Sequence, residues 1–417
     1  MTENEKTKKT PALRFKGFTD DWEQRKLSDL ATFSKGVGYS KSDLKESGTP
    51  IILYGRLYTK YETIIRDVDT FATAMSGSVY SEGGEVIVPA SGETAEDISI
   101  ASVVEKPGIL LGGDLNIIHP SMNIDPTFLA ITVSYGDPHL DMAKRAQGKS
   151  VVHLHNEDLS QIELRYPSLI EQQKISQYFK SLDNLITLHQ KKVSSLQIIK
   201  KSMLEKMFPK EGSKVPEIRF SGFTDDWEQS KLGDMGTTFT GLSGKSKDDF
   251  GHGNAQFVTY MNVYLNPIAD VKMTEHVEID NHQAKVQYGD VFFTTSSETP
   301  DEVAMSSVWL GNTDNTYLNS FCFGYRPIEK TAPYYLAYML RSDSVRKKLV
   351  FLAQGISRYN ISKNRVMEIE VPVPSLAEQH QIGDFFLSLD NTITLHQKEV
   401  DKLTIFKKSL LTEMFPN

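Results

Sequence analysis

One helical stretch occurs twice in the chain, and this duplication restricts the possible folds more than any other feature. Residues 167–209 read PSLIEQQKISQYFKSLDNLITLHQKKVSSLQIIKKSMLEKMFP, and residues 374–416 read PSLAEQHQIGDFFLSLDNTITLHQKEVDKLTIFKKSLLTEMFP. Aligned without a gap, 27 of 43 positions are identical, which marks an internal repeat. Each copy opens on a capping-box pattern, Ser168 with Glu171 and Ser375 with Glu378. In that pattern the serine accepts from the backbone three residues on and the glutamate reaches back. Each copy closes at Phe-Pro, where proline disfavours further helix.

Within each copy apolar residues alternate spacings of three and four. The first seam runs through Ile175, Phe179, Leu182, Ile186, Val193 and Leu196, the second through Ile382, Phe386, Leu389, Ile393, Val400 and Leu403. His189, Lys200, His396 and Lys407 fall on the same seams and read as polar register-setting members. The pattern predicts two coiled-coil helices of roughly 40 residues, about 60 Å each. A stripe of that length needs a partner, and the other copy supplies one. The spacing leaves parallel and antiparallel pairing open.

A second motif repeats upstream. From Pro11 and from Pro216, 14 of 20 positions agree, including Arg-Phe-x-Gly-Phe-Thr-Asp-Asp-Trp-Glu-Gln. Asp20, Asp21 and Trp22, like Asp225, Asp226 and Trp227, read as a turn that anchors a tryptophan on a core. Each repeat is therefore a globular part followed by a long helix. The expected division is a tail over 1–10, a globular domain over 11–166, a helical region over 167–209, a linker over 210–215, a second globular domain over 216–373 and a second helical region over 374–417. Short β-branched and aromatic runs predict strands at Pro50–Tyr54, Glu85–Pro89, Ile98–Val104, Phe257–Tyr260, Asp290–Thr295 and Val303–Leu310. Short helices are expected at Pro126–Val133 and Tyr334–Arg341. The expected fold class is α+β: two mixed α+β domains with two long helices in an internal pseudo-two-fold repeat.

The globular parts diverge, but two segments persist in both. Ser91-Gly-Glu-Thr-Ala-Glu-Asp-Ile corresponds to Ser296-Ser-Glu-Thr-Pro-Asp-Glu-Val. Its acidic residues Glu93, Glu96, Asp97, Glu298, Asp301 and Glu302 fit a strand connection that bonds its own backbone. If the loop is functional, they offer acceptors for cytosine N4 or partners for an arginine. Ala146-Gln147-Gly148-Lys149-Ser150 corresponds to Ala353-Gln354-Gly355-Ile356-Ser357. The surrounding run carries Arg341, Arg346, Lys347, Lys348, Arg358, Lys363 and Arg365, with Tyr359 and Asn360 among them; the first copy has Lys144, Arg145 and Lys149, with His139, His153 and His155. Cations beside a glycine turn hold phosphate, and Gln, Asn and Arg read base edges. The candidate nucleic-acid contacts are Lys144, Arg145, Gln147, Lys149, Ser150, Arg346, Lys347, Lys348, Gln354, Ser357, Arg358, Tyr359, Asn360 and Lys363. A solvated helix end is the plainer reading of the same cations.

Composition excludes several classes. No apolar run approaches the ~20 residues of a membrane helix, and the polar first ten residues are no secretory signal. A single cysteine, Cys322, rules out an internal disulfide framework and points to a reducing cytosol. The histidines lack metal-ligand spacing, so no metal is assigned. Gly148-Lys149-Ser150 and Gly244-Lys245-Ser246 lack the earlier glycine of a phosphate loop, with Ala143 and Phe239 in its place. No dinucleotide, zinc-protease or nucleophile-elbow motif occurs. The net charge of −8 weighs mildly against nucleic acid as an average, although a local patch can still bind phosphate.

On Pro-Ser-Leu-x-Glu-Gln opening a heptad helix twice, at Pro167–Gln172 and Pro374–Gln379, and on the repeated Arg-Phe-x-Gly-Phe-x-Asp-x-Trp at Arg14 and Arg219, the chain resembles the specificity subunit (the S or HsdS subunit) of type I restriction-modification systems. The resemblance covers essentially the whole chain. It implies a non-catalytic bacterial cytoplasmic protein whose globular parts are target recognition domains, each reading one half of a bipartite double-stranded DNA target. It further implies antiparallel helices that dock two methyltransferase subunits, with motor-nuclease subunits in the full complex. S-adenosylmethionine, and ATP with magnesium, would then belong to those partners, and no cofactor to this chain. Under it the polar seam residues gain a second possible role, facing a partner. The competing expectation is a duplicated coiled-coil scaffold that binds proteins and not DNA.

Overall fold

The computed structural model describes residues 10–148 and 150–415. Nearly all of the expected tail over 1–10, Lys149, Pro416 and Asn417 lie outside the described residues. The chain divides into two compact units, and the division cuts across both long helices. The first unit comprises residues 1–189 with 398–417, the second residues 190–397. Each unit thus combines the start of one repeat's helix with the end of the other's.

In the first unit a five-stranded sheet runs Ala31–Lys35, Leu115–Pro120, Glu85–Pro89, Ser102–Val104 and Ile64–Ile65, antiparallel except at its last pair. The strand Glu85–Pro89 is buried along its whole length, as its apolar run requires. Helix Pro126–Tyr135 starts on proline with Asp125 accepting from the Phe128 amide at 2.9 Å, and it packs on this sheet. A smaller four-stranded sheet holds Thr49–Ile52. The second unit has a four-stranded antiparallel sheet, Gly236–Thr240, Cys322–Pro327, Val291–Thr294 and Ser306–Val308, with helix Pro333–Met339. A three-stranded sheet of Thr274–Val277, Phe250–Val258 and Thr316–Leu318 accompanies it.

Three expected strands change character, and one of them, Val303–Leu310, is a strand only over Ser306–Val308 because Val303 closes a turn and Ala304 takes a positive φ of 52°. The stretch Ile98–Val104 is a strand only over Ser102–Val104, because Thr94 accepts from the Asp97 amide at 3.1 Å and caps a turn of helix, Ala95–Ile98. The stretch Phe257–Tyr260 belongs to a longer strand, Phe250–Val258, and Tyr260 already starts a helix capped by Thr259.

The long helices run Leu169–Lys206 and Leu376–Met414. Within each unit their segments are antiparallel. In the first, Phe179 meets Phe415 at 6.1 Å between ring centroids, and Lys407 reaches Asp183 at 2.5 Å. Moving forward on one helix moves backward on the other. The second unit repeats this with Phe208 against Phe386 at 6.0 Å and Lys200 to Asp390 at 2.6 Å. The seam lysines thus pin the register by charge pairs with the Asp of the Leu-Asp-Asn motif. Ile175, Phe179, Leu182, Val193, Leu196, Ile382, Phe386 and Val400 are buried, whereas Ile186, Leu389, Ile393 and Leu403 are half-buried.

The capping-box glutamates do something other than expected. Glu171 takes Arg14 Nε at 2.6 Å and Nη2 at 2.7 Å; Glu378 takes Arg219 Nε at 2.7 Å and Nη2 at 2.8 Å. Both carboxylates are about 1% exposed. A bidentate guanidinium compensates a buried carboxylate better than one backbone amide does. Only Ser375 makes a side-chain cap, a long 3.4 Å bond from the Glu378 amide. The neighbouring glutamines tie helix to domain. Gln172 accepts from the Asp125 amide and donates to the Pro167 carbonyl, and Gln379 does the same with Ala332 and Pro374.

Trp22, Phe128 and Phe179 surround Phe415, and Trp227, Tyr335 and Phe386 surround Phe208. Phe415→Ala should cost about 3–5 kcal/mol in the first unit. Hydrogen exchange should then show lost amide protection in Glu85–Pro89 and Pro126–Tyr135 with Val291–Thr294 unchanged, and Phe208→Ala should give the reverse.

Candidate nucleic-acid interface

The two segments that persist between the divergent domains come together in space. In the first unit Ser91–Gly92 pairs antiparallel with Val152–His153; in the second Ser296–Ser297 pairs antiparallel with Tyr359–Asn360. Each partner strand belongs to a tight loop closed by reciprocal backbone bonds. Gln147 and His153 exchange bonds of 3.1 and 2.8 Å, and Gln354 and Asn360 exchange bonds of 2.9 and 2.8 Å. Glycine makes the loop possible. Gly148 and Gly355 have φ of +152° and +148°, and a Cβ there would lie 1.8 Å from the Val151 carbonyl oxygen and 2.0 Å from that of Arg358. What the sequence presented as two candidates is one edge, built twice.

In the second unit this edge borders a cleft of ≈ 640 Å³ lined by Tyr260, Tyr264, Ser296, Glu298, Ser357 and Arg358, among others. The rings of Tyr260 and Tyr264 stack, with centroids 6.2 Å apart and planes 14° from parallel. Tyr264 donates to Glu302 at 2.6 Å, which holds that carboxyl below its usual range. Tyr260 donates to the Ser296 carbonyl at 2.7 Å. Neither tyrosine stood out in the sequence. Their i, i+4 spacing behind the capping Thr259 was the available signal.

The basic run of the second unit splits up. Arg346 donates to the carbonyls of Ala304, Asp301 and Val303 at 2.7–2.8 Å, so this candidate contact faces its own domain. Burial pushes its guanidinium down to about 10. Arg341 likewise binds the carbonyls of Ser306, Val263 and Tyr264. Lys347 pairs with Asp343 at 2.7 Å and Lys348 donates to the Glu370 carbonyl. Both lysines line a different cleft, of ≈ 950 Å³, beside Glu205, Lys210 and Glu211 at the end of the first long helix. Gln354, Ser357, Arg358 and Asn360 remain exposed on the hairpin, and Tyr359 is half-buried there. Lys363 opens a short helix, Lys363–Met367.

In the first unit Gln147 and Ser150 are exposed on the hairpin, while Lys149 lies outside the described residues. Lys144 and Arg145 instead line a cleft of ≈ 610 Å³ with Lys26, Asp141 and Arg165. Arg145 pairs with Asp141 at 3.2 Å. His153 and His155 stack at 6.3 Å, and His139 bonds the Ser99 carbonyl at 2.6 Å. Among the described residues no helix is long and apolar enough to cross a membrane.

Comparison with known proteins bears on both copies of this edge. A family model described as the type I restriction modification DNA specificity domain matches residues 19–197 and 224–404. Among curated relatives, the putative type I restriction enzyme MjaX specificity subunit of Methanocaldococcus jannaschii is 24% identical, over 94% of this chain and 92% of its own. The type I restriction enzyme MjaVIII specificity subunit of the same organism is 23% identical, over 94% and 91%. Among solved structures, the S subunit of a type I restriction-modification system from M. genitalium superposes with a TM-score of 0.61 at 14% identity, covering 98% of this chain and 99% of that one. A chain solved for the complex assembly and conformational transition of a type I R-M system gives 0.53 at 14% identity, covering 95% and 98%. At these identities the superpositions establish a shared fold.

A Cβ at either loop glycine collides with a carbonyl of the same turn, at a cost of about 1–3 kcal/mol. Gly355→Ala and Gly148→Ala should each lower the thermal midpoint by roughly 2–12 °C and distort one hairpin. Backbone NMR should confine the shifts to residues 353–361 or 146–154.

Proposed function

The chain belongs to the type I restriction modification DNA specificity family, and on that premise we propose that each unit reads one half of a bipartite DNA target through its loop–hairpin edge. The observation that carries this reading is the pairing of the two preserved segments in both units, Ser91–Gly92 with Val152–His153 and Ser296–Ser297 with Tyr359–Asn360. Family membership leaves no place for the alternative of a scaffold that does not bind DNA. Divergence between the domains then has a cause, because they read different half-sites. The preserved helices have one too, since they present the same surface twice.

That surface supports a finer assignment. Off the seam, Leu188 and Leu395 are 63% and 59% exposed, and Ile198 and Ile405 are 69% and 71% exposed. These are equivalent positions of the two copies. An apolar side chain held in water on a rigid helix is suited to burial by another protein. In this reading two methyltransferase subunits cover the equivalent positions and supply the chemistry, with S-adenosylmethionine. Motor-nuclease subunits with ATP and magnesium complete the restricting complex. The helix pair sets the unread gap, with half-site centres about one helical turn, about 10 bp, apart.

The test is to co-express the chain with the methyltransferase encoded beside it and sequence the DNA for modified adenine. One bipartite motif is expected, and exchange of residues 216–373 for those of another family member should change one half of it. Absence of any sequence-selective methylation would sink the reading. Separately, Leu188→Glu with Leu395→Glu should abolish co-purification of the methyltransferase while leaving the circular dichroism of the chain unchanged.

A further inference from the structure

The edge of the second unit carries two side chains that the fold leaves uncommitted. Among the described residues, neither Glu298 nor the Arg358 guanidinium makes a hydrogen bond or ion pair. The contrast with their neighbours is sharp. Arg341 and Arg346 are spent on carbonyls, Lys347 on Asp343, and Glu302 on Tyr264 and Ser297. The strand pairing ends at Ser297↔Tyr359, and Glu298 directly follows it on one segment while Arg358 directly precedes it on the other. Both side chains line the same cleft, with the stacked Tyr260 and Tyr264 as another part of its wall.

Resting on the reading of this edge as DNA-facing, we propose that Glu298 and Arg358 together read one C·G base pair in the major groove of the second half-site. Arg358 donates its fork to guanine O6 and N7, and Glu298 accepts from the cytosine N4 amino group. The chemistry of the groove singles out this pair. The donors it offers a carboxylate are cytosine N4 and adenine N6, while guanine presents two adjacent acceptors that match a guanidinium fork. A carboxylate brought to polyanionic DNA is repelled unless it finds such a donor. An acceptor beside a two-pronged donor therefore matches a pair that presents an amino group beside two acceptors. The first unit keeps the acid but not the cation: Glu93 follows the paired Gly92, and Val151 precedes the paired Val152 where Arg358 stands in the second unit. The C·G requirement should thus hold for one half-site only.

The full complex, with its partner methyltransferase, is assayed on a plasmid library with both half-sites randomised. A wild-type complex without any bipartite preference would overturn the proposed function and this inference with it. Given a wild-type motif, the half-site altered by exchanging residues 216–373 should contain a C·G pair. Arg358→Ala and Arg358→Lys should both relax that position by roughly 5- to 100-fold, leaving the other half-site unchanged. Glu298→Gln should shift the preference at the same position, since an amide both donates and accepts. If Arg358→Ala lowers methylation equally on all sequences, Arg358 is a phosphate contact and the inference fails; if Arg358→Lys keeps full discrimination, the guanidinium fork is not what reads the pair and the inference fails as well. It fails equally if Glu298→Gln leaves the motif intact. Thermal midpoints of the variants within a few degrees of the parent exclude misfolding.

Discussion

Each core is completed by an aromatic residue from the other repeat. Phe415 closes the cluster of Trp22, Phe128 and Phe179, and Phe208 closes that of Trp227, Tyr335 and Phe386. Much else follows from this exchange. Each long helix begins in one core and ends in the other, so each core is built from segments of both repeats. The helix register is held by Lys407 with Asp183 and by Lys200 with Asp390. Partly exposed pairs of this kind contribute little energy, on the order of 1 kcal/mol each. Their value is specificity, because a heptad stripe alone tolerates slippage.

The beginning of each helix is fixed with equal economy. The motif Pro-Ser-Leu-x-Glu-Gln invites a capping-box interpretation, yet its glutamate is the buried partner of Arg14 or Arg219, and its glutamine reaches the first turn of the adjacent domain helix. This explains why two distant motifs recur together. Arg-Phe-x-Gly-Phe and Pro-Ser-Leu-x-Glu-Gln are the two halves of one buried ion pair, and either alone would leave an uncompensated charge.

The long-range order of the chain was legible because repetition and periodicity survive in one dimension. Duplicated helices, an anchored tryptophan and the strand Glu85–Pro89 all rest on local pattern. The strand expected from Ile98 was shortened by the Thr94 cap, and the direction of the helix pair, which the heptad spacing leaves open and the family resemblance implies, is fixed by three-dimensional pairing. The candidate interface shows the limit most clearly. A run of seven cations looks like one basic patch, but two of its arginines turn inward to satisfy carbonyls of a helix end, a turn and a strand that no sequence spacing announces. Conversely, Tyr260 and Tyr264 join the site from a helix far upstream.

What remains at the surface after these internal demands are met is the part of the molecule free to vary. Gly148 and Gly355 are dictated by a carbonyl contact, and the closing bonds of Gln147 with His153 and Gln354 with Asn360 use backbone atoms only. The exposed side chains of Ser150, Val151, Ile356, Ser357 and Arg358 take no part in those bonds. A hairpin whose conformation is set by its glycine and main chain can exchange its exposed residues without cost to the fold. This is the physical condition for a recognition element that must change its target while the helices beneath it keep theirs.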